Sequence, residues 1–220
     1  MLRGLFITGT DTGVGKTMVA AALMRRYRVR GQLCYWKPIQ TGTENDTAAV
    51  RAFGECSEDE IFDRGVRLPS PVSPHLAAAL AGRPIEIDDL VSATGGGDAG
   101  RRWLVEGAGG VLVPINEREL MTDLMRKLGL PLLVVARSTL GTINHTLLTL
   151  EALRHRALRV AGVVMTGDPN PENRRAIEQF GDVPVLGEMP RLVPLTPAAL
   201  GRWAVSDLDR AGILSEYVGQ

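Results

Sequence analysis

Gly9-Thr10-Asp11-Thr12-Gly13-Val14-Gly15-Lys16-Thr17 decides how the rest of the chain is read. An apolar run, Leu5-Phe6-Ile7, leads into it, and a helix-like pattern beginning near Val14 leaves it. A strand, a glycine-rich loop, a Lys-Thr pair and a helix in that order make a phosphate-binding loop. Backbone N–H groups of such a loop and of the helix start point inward at an anion. Lys16 supplies a point charge for the outer phosphates, and the Thr17 hydroxyl suits Mg²⁺. Five residues separate Gly9 from Gly15 instead of the usual four, so the loop is a variant.

Outward from that stretch, apolar runs and helical patterns alternate. Leu2 to Thr8, Leu33 to Trp36, Trp103 to Glu106, Leu130 to Ala136, Val160 to Met165 and Val183 to Leu186 are expected strands. Several lack polar alternation, as strands buried on both faces do. Helices are expected over Val14 to Arg26, Asp46 to Phe53, Pro74 to Ala81, Ile87 to Ala93, Leu120 to Leu128, Thr142 to His155 and Pro171 to Phe180. Ile143, Leu147, Leu150 and Leu153 form a stripe on the sixth of these. The pattern predicts an α/β fold, a mostly parallel central sheet with helices on both faces, in one domain over 1–220. Gly95 to Gly100 is expected to be a loop within it.

Composition excludes several function classes. Among 220 residues, 25 Lys and Arg balance 25 Asp and Glu, so no global field favours nucleic acid or an anionic membrane. The apolar runs fall far short of a membrane span, and the opening residues run straight into the loop rather than forming a signal peptide. Cys34 and Cys56 are the only cysteines, which suits a reducing cytoplasm, and Cys34 is expected in the core.

Ligands of parallel sheets bind beyond the carboxyl ends of the strands. After the second run come Lys37, Pro38, Gln40 and Thr41; after the third, Glu106 and the Gly107-Ala108-Gly109-Gly110 turn; after the fifth, Thr166, Gly167 and Asp168. Lys37 is either a surface lysine or a second cation facing a transferred phosphoryl group. Glu106 is either a solvated strand-end acid or a carboxylate at a metal. Asp46 taken alone is a helix cap; with Glu106 and Thr17 it makes a donor set for Mg²⁺. Gly141-Thr142-Ile143-Asn144 opens a long helix whose free N–H groups suit a carboxylate. His145 is expected to pack or hydrogen-bond rather than to act as a base.

Gly9 to Thr17, Lys37-Pro-Ile-Gln-Thr-Gly42, Ser73-Pro-His75, Val105-Glu-Gly-Ala-Gly-Gly110, Leu140-Gly-Thr-Ile-Asn-His145 and Leu186-Gly-Glu-Met-Pro190 together resemble the dethiobiotin synthetases. The resemblance runs to about residue 192. It implies an ATP- and Mg²⁺-dependent ligase of biotin synthesis that joins 7,8-diaminononanoate and CO2 into the cyclic urea of dethiobiotin. It implies that Gly13, Val14, Gly15, Lys16, Thr17 and Met18 bind phosphates, that Thr17, Asp46 and Glu106 hold the metal, and that Lys37 with Lys16 carries the catalysis. Gly107, Ala108 and Gly109, Thr166 and Gly167, and Pro190, Arg191 and Leu192 complete the nucleotide site. Thr12, Lys37, Thr41 and Gly110 would bind the amine or carbamate end. Gly141, Thr142 and Asn144 of a partner subunit in a homodimer would hold the carboxylate tail.

The resemblance has departures. Many relatives carry Glu at Gly13 and Asn-Asp at Thr166-Gly167, and the Pro190 to Leu192 segment matches loosely. The alternative is a partition- or positioning-type nucleotide switch of the same superfamily. Such switches carry a Lys early in the loop, where this chain has Asp11, and often a basic amphipathic tail. The segment from Trp203 to Tyr217 instead carries Asp207, Asp209 and Glu216.

Overall fold

The computed structural model describes residues 2–28, 32–96 and 100–219. Strand β1 (Arg3–Gly9), which feeds the glycine-rich loop, lies in the middle of a sheet. It is flanked in parallel by β6 (Arg102–Glu106) and β7 (Leu132–Arg137). Beyond β6 lie β2 (Leu33–Trp36) and β4 (Ile61–Phe62); beyond β7 lie β8 (Val160–Thr166) and β9 (Val185–Met189). The order is β4-β2-β6-β1-β7-β8-β9, with every pairing parallel. All six expected strands are there, shifted by up to three residues at an end. A small parallel ribbon of β3 (Ile39–Thr41) and β5 (Val66–Leu68) was not expected, nor was β4. Runs of two or three residues are too short to carry a period.

The seven expected helices form as α1 (Lys16–Tyr27), α2 (Asp46–Gly54), α3 (Pro74–Leu80), α4 (Ile87–Ser92), α5 (Met121–Leu128), α6 (Thr142–His155) and α7 (Pro171–Gly181). Successive strand side chains point to opposite faces. Leu5 and Ile7 therefore enter a core with α1, whereas Phe6 enters a core with α3 to α7. Val19 to Met24 of α1 are all fully buried, and the three consecutive alanines let the helix lie close to its neighbours. Burying Leu23 or Met24 contributes about 1.5–3 kcal/mol each. Cys34 is buried, as expected.

On α6 the buried line is Thr142, Thr146, Thr149, Leu150 and Leu153, so Leu150 and Leu153 of the expected apolar stripe face the core, joined by threonines that the pattern did not single out. Ile143 and Leu147 are only half-buried and Leu148 is 56% exposed. The helix turns a threonine edge together with Leu150 and Leu153 to the protein and leaves Leu148 outward.

Two further helices follow the sheet, α8 (Pro197–Ser206) and α9 (Ser215–Val218). Asp209, 1% exposed, ties this segment down. It accepts from Tyr27 Oη (2.5 Å), Ile213 N (2.9 Å) and Leu214 N (2.7 Å). The same segment closes the edge strand β9. Asp209 N donates to Leu186 O, Trp203 Nε1 to Glu188 O, and Arg174 of α7 to Val185 O. The expected Gly95–Gly100 loop is a turn through Gly96, and its residues 97–99 lie outside the described residues. No helix among the described residues is long and apolar enough to cross a membrane.

Candidate active site

The loop after β1 takes its shape from its glycines. Gly13 and Gly15 have φ of 71° and 91°, the left-handed region that side chains disfavour. They delay the helix from the expected Val14 to Lys16, and Val14 turns into the core instead. A Cβ on Gly15 would lie 3.1 Å from Thr166 Cγ2, at the end of β8. The Thr166 hydroxyl donates to Val14 O at 2.8 Å, tethering the loop to β8. At the start of α1 neither a side-chain cap nor an acidic residue covers the N–H groups. Those of Lys16, Thr17 and Met18 lack helical partners and present the positive end of the helix dipole to the loop. Lys16 Nζ donates to Asp11 O at 2.9 Å, while the Asp11 carboxylate pairs with Arg137 at 2.8 Å.

Beside the loop, the ends of β2 and β6 bring an ion cluster together. Lys37 Nζ lies 2.7 Å from Asp46 Oδ2 and 2.8 Å from Glu106 Oε1, and donates to Gly107 O at 3.1 Å. Lys37 is 3% and Glu106 1% exposed, so neither is the surface residue that was the alternative for each. Thr17 donates to Glu106 Oε1 at 3.0 Å and Tyr35 to Oε2 at 2.8 Å. Asp46 is not the cap of α2. That role falls to Asn45, whose side chain accepts from Ala48 N, leaving the Asp46 carboxylate free to face Lys37.

Electrostatics follow from this crowding. Burial pushes the Lys16 ammonium down to about 8, with Lys37 adding repulsion. Burial also works against the charge on Lys37, but Glu106 and Asp46 outweigh it and hold its pKa above the ordinary lysine value. The Tyr35 phenol is pushed well above its ordinary value by burial and by the Glu106 charge.

The remaining expected residues fall into two groups. Gly107 to Gly110 border the loop: Gly107 N donates to Ile7 O, a Cβ on Gly109 would lie 3.7 Å from Thr12 Oγ1, and one on Gly110 would lie 3.5 Å from Gly9 O, while Thr41 ends β3. A groove of about 520 Å³ runs from Thr12 and Gly110 past Leu112 to His145 and Leu148 of α6. His145 is exposed on its wall rather than packed or hydrogen-bonded through its ring. Gly141, Thr142 and Asn144 open α6, again without a side-chain cap or an acidic residue in the first turn. The second group lies on the other flank of the loop. Gly167 N donates to Met189 O, Arg191 is exposed, and Leu192 packs on the α1 core. Thr166 of this flank reaches the loop directly, through its bond to Val14 O.

Sequence reasoning missed Tyr35 and Arg67, and it named Gln40 after the second run without giving it a role. Tyr35 sat in an apolar run and signalled only core. Gln40 accepts from Asp46 N at 3.3 Å, and Arg67 holds Lys37 O (3.0 Å) and Thr47 (3.1 Å); no motif marked Arg67. A cavity of about 880 Å³ beside Arg83 and Arg118 lies apart from this chemistry.

Thr17, Asp46 and Glu106 offer hard oxygen donors around a point where an ammonium already sits. That set fits Mg²⁺, which takes one or two carboxylates and completes its shell with phosphate oxygens and water. Among the described residues no cluster of three or more His, Cys, Asp or Glu offers an all-protein cage.

Parallel sheet, glycine loop and a lysine at the first turn of α1 make this a phosphate-loop nucleotide-binding protein. Solved structures of that class share the fold. A ParA family ATPase from Chlorobium tepidum superposes with a TM-score of 0.57 at 11% identity over 97% of each chain. The septum site-determining protein MinD with Mg-ADP from Pyrococcus horikoshii gives 0.54 at 15% identity, over 92% of this chain and 86% of that one. A family model described as an AAA domain matches residues 3–199. Sequence comparison is sharper. The ATP-dependent dethiobiotin synthetase BioD of Paramagnetospirillum magneticum is 50% identical over 90% of this chain and 93% of its own. That of Agrobacterium fabrum is 46% identical over 88% and 89%. The chain belongs to the dethiobiotin synthetase family.

Proposed function

We propose that the chain, as one phosphate-loop domain over 1–220, closes the ureido ring of dethiobiotin from 7,8-diaminononanoate, CO2 and ATP. One amine combines with CO2 to give a carbamate. A carbamate oxygen attacks the γ-phosphorus, the bond to the ADP oxygen breaks, and a carbamic–phosphoric anhydride forms. The second amine attacks the carbonyl carbon, and phosphate leaves. Carbamate and γ-phosphate are both anions, so their approach requires cations held in advance.

The observation that carries this reading is the buried Lys37 ammonium, held beside the loop between Asp46 and Glu106. Lys16 and the amides from Gly13 to Met18 hold the phosphates, while Lys37 bridges the carbamate and the phosphoryl group. Thr12, Thr41 and Gly110 hold the amine end. Holding both amines against one carbon lowers the closure barrier by roughly 7–11 kcal/mol when the geometry is right. Thr17, Asp46 and Glu106 would hold Mg²⁺, which when bound neutralises charge on the phosphate oxygens. Gly107 to Gly109, Thr166, Gly167 and Pro190 to Leu192 border the nucleoside. The Thr166 hydroxyl is engaged by Val14 O, which supports loose selection of the base.

Two copies of the chain pair through the outer face of α6. Leu148 (56% exposed), Leu112 and Leu140 stand outward there beside the groove, which supports an interface lined by them. The partner's Gly141, Thr142 and Asn144 receive the substrate carboxylate at a helix start. A cytoplasmic setting belongs to this reading and is supported by the two free cysteines and the demand for ATP. The test is incubation with the diamine, labelled bicarbonate, Mg²⁺ and each nucleoside triphosphate in turn. Label in a ureido product is expected; nucleotide hydrolysis indifferent to the diamine would instead identify a switch ATPase.

A further inference from the structure

We propose that Tyr35 is a positioning residue, whose hydroxyl fixes the orientation of the Glu106 carboxylate. The inference rests on the reading of Glu106 as a metal-site carboxylate. Glu106 Oε1 is shared by Lys37 (2.8 Å) and Thr17 (3.0 Å), whereas Oε2 has Tyr35 at 2.8 Å. Two of these three donors have other duties. Lys37 is divided between Glu106 and Asp46 and must face the reacting groups. Thr17 belongs to the loop that closes on phosphate. Tyr35 alone is free of both, and it is fully buried.

The geometry follows from the strand period. Tyr35 and Lys37 are two residues apart on β2 and the segment after it, and Leu104 and Glu106 are two apart on β6, with Tyr35 in register with Leu104. All four side chains emerge on the α1 face. The phenol therefore lies along the sheet and delivers its oxygen to the strand end where Glu106 stands. An apolar ring would satisfy the packing at this place. Burying a hydroxyl is unfavourable unless it is bonded, and this one is bonded to the carboxylate. When Lys37 turns towards substrate, Oε1 loses one donor but Oε2 keeps its own, so the carboxylate stays where the cluster set it. Groups that orient a ligand from behind typically change metal affinity 10–100-fold when removed.

The test uses Mn²⁺ as a spin probe for Mg²⁺, titrated against the full chain with ADP and followed by paramagnetic resonance. Tyr35→Phe should weaken Mn²⁺ binding to the ADP complex on the order of tenfold. Metal-free ADP binding, measured by calorimetry in chelator, should be unchanged. Tyr35→Met, flexible and without a hydroxyl, repeats the measurement if the first variant is poorly folded. Unchanged Mn²⁺ affinity in a folded variant, or equal loss of metal-bound and metal-free ADP, would overturn the proposal. Glu106→Gln separates the two readings. If it binds Mn²⁺ like the unmodified chain, the metal role of Glu106 fails; if it loses Mn²⁺ while Tyr35→Phe does not, only the role of Tyr35 fails. Tyr35→Phe added to Glu106→Gln should produce no further loss.

Discussion

Lys37 Nζ and Glu106 Oε1 are 2.8 Å apart in a place almost without solvent, one contributed by the end of β2 and the other by the end of β6. Strand order makes the meeting unavoidable, because β2 and β6 are neighbours and run the same way. Removing one partner leaves the other charged and buried. Lys37→Met should therefore lower stability by about 3–5 kcal/mol. It should lower kcat by at least about a hundredfold, with the ATP KM nearly unchanged. Denaturant unfolding and steady-state kinetics check the two parts; a defect confined to ATP binding would reassign Lys37.

Asp46 faces Lys37 while Asn45 caps α2. Asp46→Asn should leave helix stability nearly intact and raise the Mg²⁺ concentration needed for half-maximal turnover. An unchanged Mg²⁺ titration would remove Asp46 from the donor set.

Leu148 stands outward on a helix that buries threonines. Leu148→Asp should give monomers by sedimentation, with ADP binding retained and ring closure lost. Dimers of undiminished activity would place the interface elsewhere.

Asn144 lies in the uncapped first turn of α6. Asn144→Asp adds a negative charge that favours the helix by about 0.3–1 kcal/mol but repels an anionic tail. The diamine KM should rise while the ATP KM and Tm hold. A rise in both KM values would point to general disturbance instead.

Tyr27 bonds to Asp209, and burial followed by that bond raises its phenol to about 12. The folded state keeps a proton that the unfolded chain releases near pH 10. Between those values the native state binds more protons, so stability falls as pH rises from about 10 towards 12. Tm measured over that window should decline less steeply in Tyr27→Phe.

Much of this was legible in the chain itself. The loop, the six apolar runs and the acids and lysines after them announced a parallel sheet with a phosphate site at one edge, because buried parallel strands and glycine turns leave strong local signals. The segment after Pro194 was not legible, although Thr196-Pro197 carries a helix start in which Thr196 accepts from Ala199 N. Its place depends on Asp209 meeting Tyr27, a contact 182 residues distant. Tyr35 was hidden for a related reason: an apolar run shows that a ring is buried, but not what its oxygen touches. On α6 the periodicity found Leu150 and Leu153 on the inward side, but it passed over the threonines buried beside them, whose place was decided by packing.

The closed rim at β9 has a bearing on how copies of this chain can associate. With the carbonyls of Val185, Leu186 and Glu188 already engaged, a second molecule finds no open ladder there to extend. At the opposite margin β4 offers only two residues. Any union of two molecules is thereby steered to helices and loops, and runaway strand-by-strand stacking into fibres is blocked at both ends.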